Sequence, residues 1–199
     1  MFRVSFAAAL VALAAPTVAS AQNFSEGYQF LEAVKKADGN KVNEILGKPG
    51  SSIVNTKDRD SGQSALHIVT EREDPTYMRF LLQKGANPNI TDKDGNSPLM
   101  SAVGKGFGEG VDIMIRYGAS VNLANSSGET PLIRAVQVHN VDIIRKLLDA
   151  GADPDKTDTL AGKSARDYAI EDRRFPGIAK IMTEAPKKKK ANAAVAGPR

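Results

Sequence analysis

The residues best suited to chemistry are few, and their spacing does not assemble a reactive site. His67 and His139 are the only histidines, and there is no cysteine. Disulfides, thiolate zinc sites, iron–sulfur clusters and a cysteine nucleophile are therefore excluded. The two histidines lie far apart with no third ligand in view, so no metal site is expected. Asp92-Lys93-Asp94-Gly95-Asn96 matches the opening of a calcium-binding loop. Such a loop needs a bidentate Glu at its twelfth position, and Val103 stands there. Gly104, Gly106, Gly108 and Gly110 alternate like a phosphate-binding stretch. A dinucleotide fingerprint would need glycine in place of Glu109, and a βαβ setting. Glu71, Glu73 and Asp74 read as the solvated end of a helix rather than an acid–base pair. No Ser–His–Asp set is recognisable. The chain is therefore expected to be no enzyme, to take no cofactor, and to work by recognition.

Charge narrows what is recognised. The 199 residues hold 27 Lys and Arg against 23 Asp and Glu, a net charge of +4. Residues 187–199 hold five of those bases and residues 1–21 hold one, with no acid in either. The stretch between them carries 21 bases against 23 acids, so the basic pI belongs to the tail. A nucleic-acid-binding body is thereby disfavoured.

The two ends read as appendages. Residues 1–21 combine Arg3, the apolar run Phe6 to Ala15, and the small-x-small site Ala19-Ser20-Ala21. That is a secretory signal, with a mature start near Gln22. The run is shorter than the roughly 20 residues that span a bilayer. Secretion across the inner membrane of a bacterium is expected, with the periplasm or export beyond it as the destination. Residues 185–199 are expected to be a disordered, Lys-rich tail. Lys187, Lys188, Lys189 and Lys190 offer either plain solubility or weak attraction to an anionic surface.

The elements that must position any binding residue repeat along the chain. Gly62, Gly95 and Gly128 are each 33 residues apart, and Gly162 follows 34 later. Gly85-Ala86, Gly118-Ala119 and Gly151-Ala152 keep the same step, as do Leu66, Leu99 and Leu132. Each glycine ends a polar turn with a positive-φ position. Ser64, Ser97, Thr130 or Ser164 then caps a helix of about nine residues. Pro98 and Pro131 fall at the first helical position, where a missing N–H costs nothing. A second helix follows, clearest in Val141 to Leu148, with apolar residues at three- and four-residue steps. Gly151 stops it.

This pattern resembles the ankyrin repeat, D-x-x-G-x-T-P-L-H-x-A…G-A-x-x-N. The resemblance implies an all-α repeat solenoid, with helix–turn–helix units joined by β-hairpin connections. It covers residues 24–183, within an ankyrin repeat domain of residues 22–184. Five units are read, at about 24–54, 55–89, 90–122, 123–155 and 156–184. The first lacks a proper hairpin. In the fifth, Arg166 stands where inner units have Leu, as suits a solvent-facing side of an end unit. The loop 48–52 replaces the first Gly-Ala stop. Pro75 falls at the start of the second helix of unit two. Four glycines predict a short, mobile second helix in unit three, with Phe107 as the large apolar side chain of a loop that adapts on binding. His67 occupies the family's usual His position, which implies a structural hydrogen bond across the hairpin.

Function in such arrays means binding a protein on the concave side. The resemblance places the contacts at hairpin tips and at the exposed ends of first helices. Here these are Asp60, Ser61, Gln63, Glu71 and Arg72 in unit two, and Lys93, Asp94, Asn96 and Lys105 in unit three. Unit four supplies Ser126, Ser127, Glu129, Gln137 and Val138. Arg72 is the expected anchor, since arginine is enriched in interface cores. The reading is a secreted protein-binding module of the cell envelope. The alternatives are a structural protein held to an anionic surface by its tail, and an exported effector that binds host proteins.

Overall fold

The computed structural model describes residues 25–47 and 53–186. The expected leader, the loop 48–52 and the four lysines of the tail lie outside them. Five helix pairs follow one another: α1 (Glu26–Lys35) with α2 (Gly39–Leu46), α3 (Ala65–Glu71) with α4 (Pro75–Gln83), α5 (Pro98–Lys105) with α6 (Gly108–Arg116), α7 (Pro131–Gln137) with α8 (Val141–Asp149), and α9 (Ala165–Glu171) with α10 (Pro176–Glu184). A single 3-10 turn, Ile53–Asn55, leads into the second unit. The first helices stack in one row, α1 on α3 on α5 on α7 on α9, while α4, α6 and α8 form a second. The pattern expected from the sequence is therefore observed as an all-α solenoid.

Local chemistry sets each start. The side chains of Ser97, Thr130 and Ser164 accept from backbone N–H groups three residues on, each at 3.2 Å. Pro75, Pro98 and Pro131 stand in the first helical turn. The hairpin connections are short. Each is closed by one backbone bond, such as Asp92 N–H to Asn96 O at 3.0 Å. Bridge pairs form only at Lys57 with Ser64 and Thr157 with Ser164.

Burial and polar ladders join the units. Leu66, Leu99 and Leu132 are all buried in one continuous core. Asn55 reaches across unit two, and Asn89 and Asn122 each make the same reach into the next unit. Their amides donate to the carbonyls of Gly85, Gly118 and Gly151, and their oxygens accept from the N–H of Asn87, Ser120 and Asp153, each at 2.7 Å. The turn tips form another ladder. Lys93, Ser126 and Thr159 donate backbone N–H bonds to Ser61, Asp94 and Ser127 of the preceding tip. Gly62, Gly95 and Gly128 have positive φ, and a Cβ on any of them would lie 2.6–2.7 Å from the next tip's backbone nitrogen. An added Cβ on Gly162 meets nothing within 4 Å among the described residues.

His67 is 1% exposed and ties unit two to unit three. The N–H of Ser64 donates to its Nδ1 at 3.1 Å. A backbone N–H can only donate, so Nδ1 is unprotonated, and Nε2 donates to Asn96 O at 2.9 Å. Burial pushes this imidazole's pKa down, in keeping with a neutral ring.

Three expectations are corrected. The second helix of unit three is not short: α6 has nine residues, as α4 and α8 do. Gly106 takes the left-handed cap of α5, and Phe107 is buried with its ring against Gly110. A Cβ at Gly110 would lie 2.3 Å from that ring, so the glycine makes room for packing rather than loosening a loop. Arg166 does not face solvent. It is 8% exposed, its Nε lies 2.7 Å from Asp155 Oδ1, and its guanidinium donates to Met182 O and Ala185 O. Asp155 stands in register with the ladder asparagines and pairs with Arg166. Ala185 is buried as well, so the packed chain runs past the expected start of the tail.

Candidate protein-binding site

The face made by turn tips and first helices carries the candidate site. An aspartate or asparagine organises each tip. Asp58 Oδ1 accepts from the N–H of Asp60 and Ser61, and Asp92 Oδ1 from Asp94 and Asn96. Asn125 Oδ1 accepts from Ser127 and Glu129, and Asp158 Oδ1 from Ala161 and Lys163. The Ser61 N–H bond, first among several, holds the Asp58 carboxyl below the usual range. At Asp158 the hydroxyl of Tyr168 is the leading cause of the same shift.

The tips of units three, four and five enclose a cavity of about 500 Å³ with α7 and α9. Lys93, Asp94, Asn96, Ser126, Ser127, Glu129 and Gln137 line it, as the sequence leads one to expect of a contact surface. Five further residues do so that sequence reasoning missed: Asn125, Arg134, Asp158, Leu160 and Tyr168. The signal for them was register. Arg134 lies 33 residues after Ser101, Leu160 lies 33 after Ser127, and Tyr168 lies one turn beyond its cap as Arg134 does. Unit five therefore contributes to this surface, which extends beyond the expected span of units two to four.

The cavity is mixed in character. Tyr168 donates to Asp158 Oδ2 at 2.6 Å, and that bond leads the causes pushing the phenol up to about 12. Leu160 is 83% exposed at the tip of the last hairpin. Glu129, expected to face solvent, is buried: its Oε2 accepts from Arg134 at 2.6 Å and from Asn125 at 3.2 Å, while Oε1 has no protein partner. Its carboxylate thus orients Arg134 across the floor.

The other expected contacts lie elsewhere. Asp60 lines a separate depression beside Tyr28 and Leu31. Ser61 and Gln63 stay at the unit-two tip, tied by a bond from Gln63 N–H to Ser61 Oγ. Glu71 and Lys105 pair with each other across units two and three at 3.2 Å. Val138 is exposed just past α7. Arg72 closes α3, and its guanidinium is spent within the fold. It donates to Val34 O of unit one and to Asp74, and lies 5.3 Å from the centre of the Tyr77 ring. His139 is stacked on Phe175 and reaches Asp172, and among the described residues no group of three or more His, Asp or Glu could hold a metal ion.

A stack of helix pairs joined by tip and asparagine ladders, with a polar-rimmed surface, defines a helical-repeat scaffold. The family description "Ankyrin repeats (3 copies)" matches residues 30–125 and 78–158, and the chain belongs to the ankyrin repeat family. Repeats of this family generally mediate protein–protein interaction and are typically non-catalytic.

Among curated proteins, the chain is 35% identical over 135 residues to the E3 ubiquitin-protein ligase KEG of Arabidopsis thaliana, covering 63% of this chain and 8% of that protein. It is 37% identical over 65 residues to a putative ankyrin repeat protein of Rickettsia felis, covering 31% and 29% of the two. It is 41% identical over 51 residues to the nuclear factor NF-kappa-B p110 subunit of Drosophila melanogaster, covering 26% and 5%. The chain thus spans less than a third of the length of these relatives.

Proposed function

We propose that the protein is a non-catalytic binding module that holds a protein partner on the tip-and-first-helix face of units three to five, after secretion into the cell envelope. The observation that carries the reading is the cavity shared by three units, where Arg134 and Tyr168 are oriented by buried carboxylates and Leu160 stands exposed beside them. Oriented donors around an apolar side chain make the small, partly desolvated centre in which interface energy concentrates. The acids there are largely answered within the fold, so recognition rests on shape and apolar contact with polar guidance. The apolar run and small-x-small site of residues 1–21 support secretion.

The test is site-specific photo-crosslinking in the producing cell. A benzophenone side chain replaces Leu160 in one strain and Arg116, on the opposite helix row, in another. One protein should be captured through position 160 and not through 116, and Arg134→Glu should abolish that capture. Equal capture at both positions would refute the site. The mass of the native protein should show a start near Gln22, and an intact Met1 would refute secretion. If deleting 187–199 releases the protein from the envelope at low salt while capture at 160 is absent, the tail's attraction to an anionic surface replaces the proposal.

A further inference from the structure

Five of the six exposed large apolar side chains among the described residues belong to the last two units: Val138, Val141, Leu160, Ile170 and Phe175. Single exposed apolar residues are ordinary, but five in two adjacent units are a concentration. An end unit of a repeat array should instead turn a polar side outward.

One of the five, Phe175, lines a second cavity, of about 190 Å³. Its floor is apolar, made by Val136, Ala169 and Ile178, each at most 3% exposed. Its wall is the stacked pair of His139 and Phe175, whose ring centres are 3.8 Å apart at an angle of 20°. One departure from the repeat builds that wall. His139 takes the left-handed backbone, φ +55°, that Ala37, Glu73 and Gly106 take at the same place in units one to three. The link between α9 and α10, residues 172–175, is longer than its counterpart in the other units, and it sets Phe175 against the ring of unit four.

Gln137 and Tyr168 line both this cavity and the one beneath the tips, so the two adjoin. The rim holds the Asp172–Arg174 ion pair, and the exposed Arg173 between them in sequence leaves a local excess of one positive charge. Asp172 accepts from Arg174 Nε and NH2, each at 2.8 Å, and from His139 Nε2 at 2.8 Å. The Arg174 fork first, then His139, hold that carboxyl well below its usual range. Arg173 and Arg174 are both exposed beside it.

We infer that the His139–Phe175 cavity is the anchor subsite of the binding face: it takes one apolar side chain of the partner, from a segment that carries an acidic residue next to that anchor. A cavity of about 150 Å³ already holds benzene, so this one accommodates an isobutyl or phenyl group. The acidic neighbour meets Arg173, since Asp172 already holds the Arg174 fork, and the segment continues over Tyr168 and Gln137 toward Leu160. The inference rests on the binding reading above and adds the chemistry of its partner.

The test titrates the ¹⁵N-labelled protein with N-acetyl-aspartyl-leucine amide, comparing the lysyl-leucine and aspartyl-alanine amides. Saturable shifts are expected at the amides of residues 136–139 and 168–178. Binding should be at least about threefold weaker with lysine in place of aspartate, and should not saturate with alanine in place of leucine, because a ligand this small binds only through its few buried atoms. Arg173→Glu, at an exposed position, should reverse the aspartate–lysine preference, and Phe175→Ala should weaken every leucine ligand. Shifts elsewhere, equal response to alanine, or no saturation would overturn the inference. The two readings fail separately. Capture at Leu160 that survives both Arg173→Glu and Phe175→Ala but not Arg134→Glu keeps the face and refutes the anchor. Leucine binding without capture at Leu160 refutes the face.

Discussion

Replacing Gly95 with alanine probes how the array is held together, and Gly162 supplies its control. Gly95 has φ +81°, and an added Cβ would lie 2.6 Å from Ser126 N and 3.1 Å from the Asn125 carbonyl carbon. Two costs follow. The left-handed conformation costs an L-residue about 1–2 kcal/mol, offset by about 0.4–1 kcal/mol through the stiffer unfolded chain. The contact is with backbone, which cannot swing aside as a side-chain end can. The tips must part, the bond from Ser126 N–H to Asp94 O at 3.0 Å is lost, and overlap replaces packing. Those two effects cost about 0.5–1.5 and 1–3 kcal/mol. Gly162 has φ +65° with nothing within 4 Å of its added Cβ, so Gly162→Ala carries the first cost alone. In urea unfolding followed by circular dichroism, Gly95→Ala should therefore destabilise by about 2–4 kcal/mol more than Gly162→Ala. Gly62→Ala and Gly128→Ala should behave like Gly95→Ala. If the two classes agree within about 0.5 kcal/mol, the spread expected of independent sites, the glycines are needed for turn conformation only and the tip ladder carries no stability.

Leu132 is fully buried, and Leu132→Ala should cost about 2–5 kcal/mol. Hydrogen exchange should show the loss spreading into units three and five, since neighbouring interfaces hold such arrays together; a change confined to unit four would contradict this. Arg72→Ala should lower stability by about 1.5–3 kcal/mol in a thermal melt, as expected for losing hydrogen bonds to a charged group, because its guanidinium ties α1 to α3; an unchanged melt would return Arg72 to the pool of free contact residues. The buried His67 has its pKa pushed below the unfolded value of about 6.5. The unfolded chain therefore takes up a proton first as pH falls, and stability should decline below about pH 6.5 until the folded ring also titrates. His67→Gln should flatten that decline, and denaturant midpoints measured across the window in which the wild type instead gained stability relative to the variant would reverse the assignment.

The sequence by itself determined the scaffold, because everything that builds one unit is local and recurs. A cap at Ser97 or Thr130, a proline behind it, an apolar step on α8 and a glycine stop at Gly151 act within a few residues of themselves. Their common period therefore carries both register and stacking order. Gly62, Gly95 and Gly128 were legible as positive-φ turn residues for the same reason, as were Lys93, Asn96 and Ser127 as tip residues.

Tertiary structure decided what depends on a side chain one unit away, which does not repeat. Arg72 was readable as an exposed arginine, but the carbonyl of Val34 that occupies it belongs to another repeat. Phe107 was readable as a loop aromatic, and although its neighbour Gly110 is local, only the packing of α6 showed that the ring is core. Arg166 was polar in a leucine register, and only the fold placed Asp155 and the carbonyls ending α10 around it. The His139–Phe175 wall and the joining of Arg134, Leu160 and Tyr168 into one surface required the distance between units to be known. A period specifies where each backbone goes, whereas non-periodic side chains meet according to stacking geometry, and those meetings decide which residues remain free to bind.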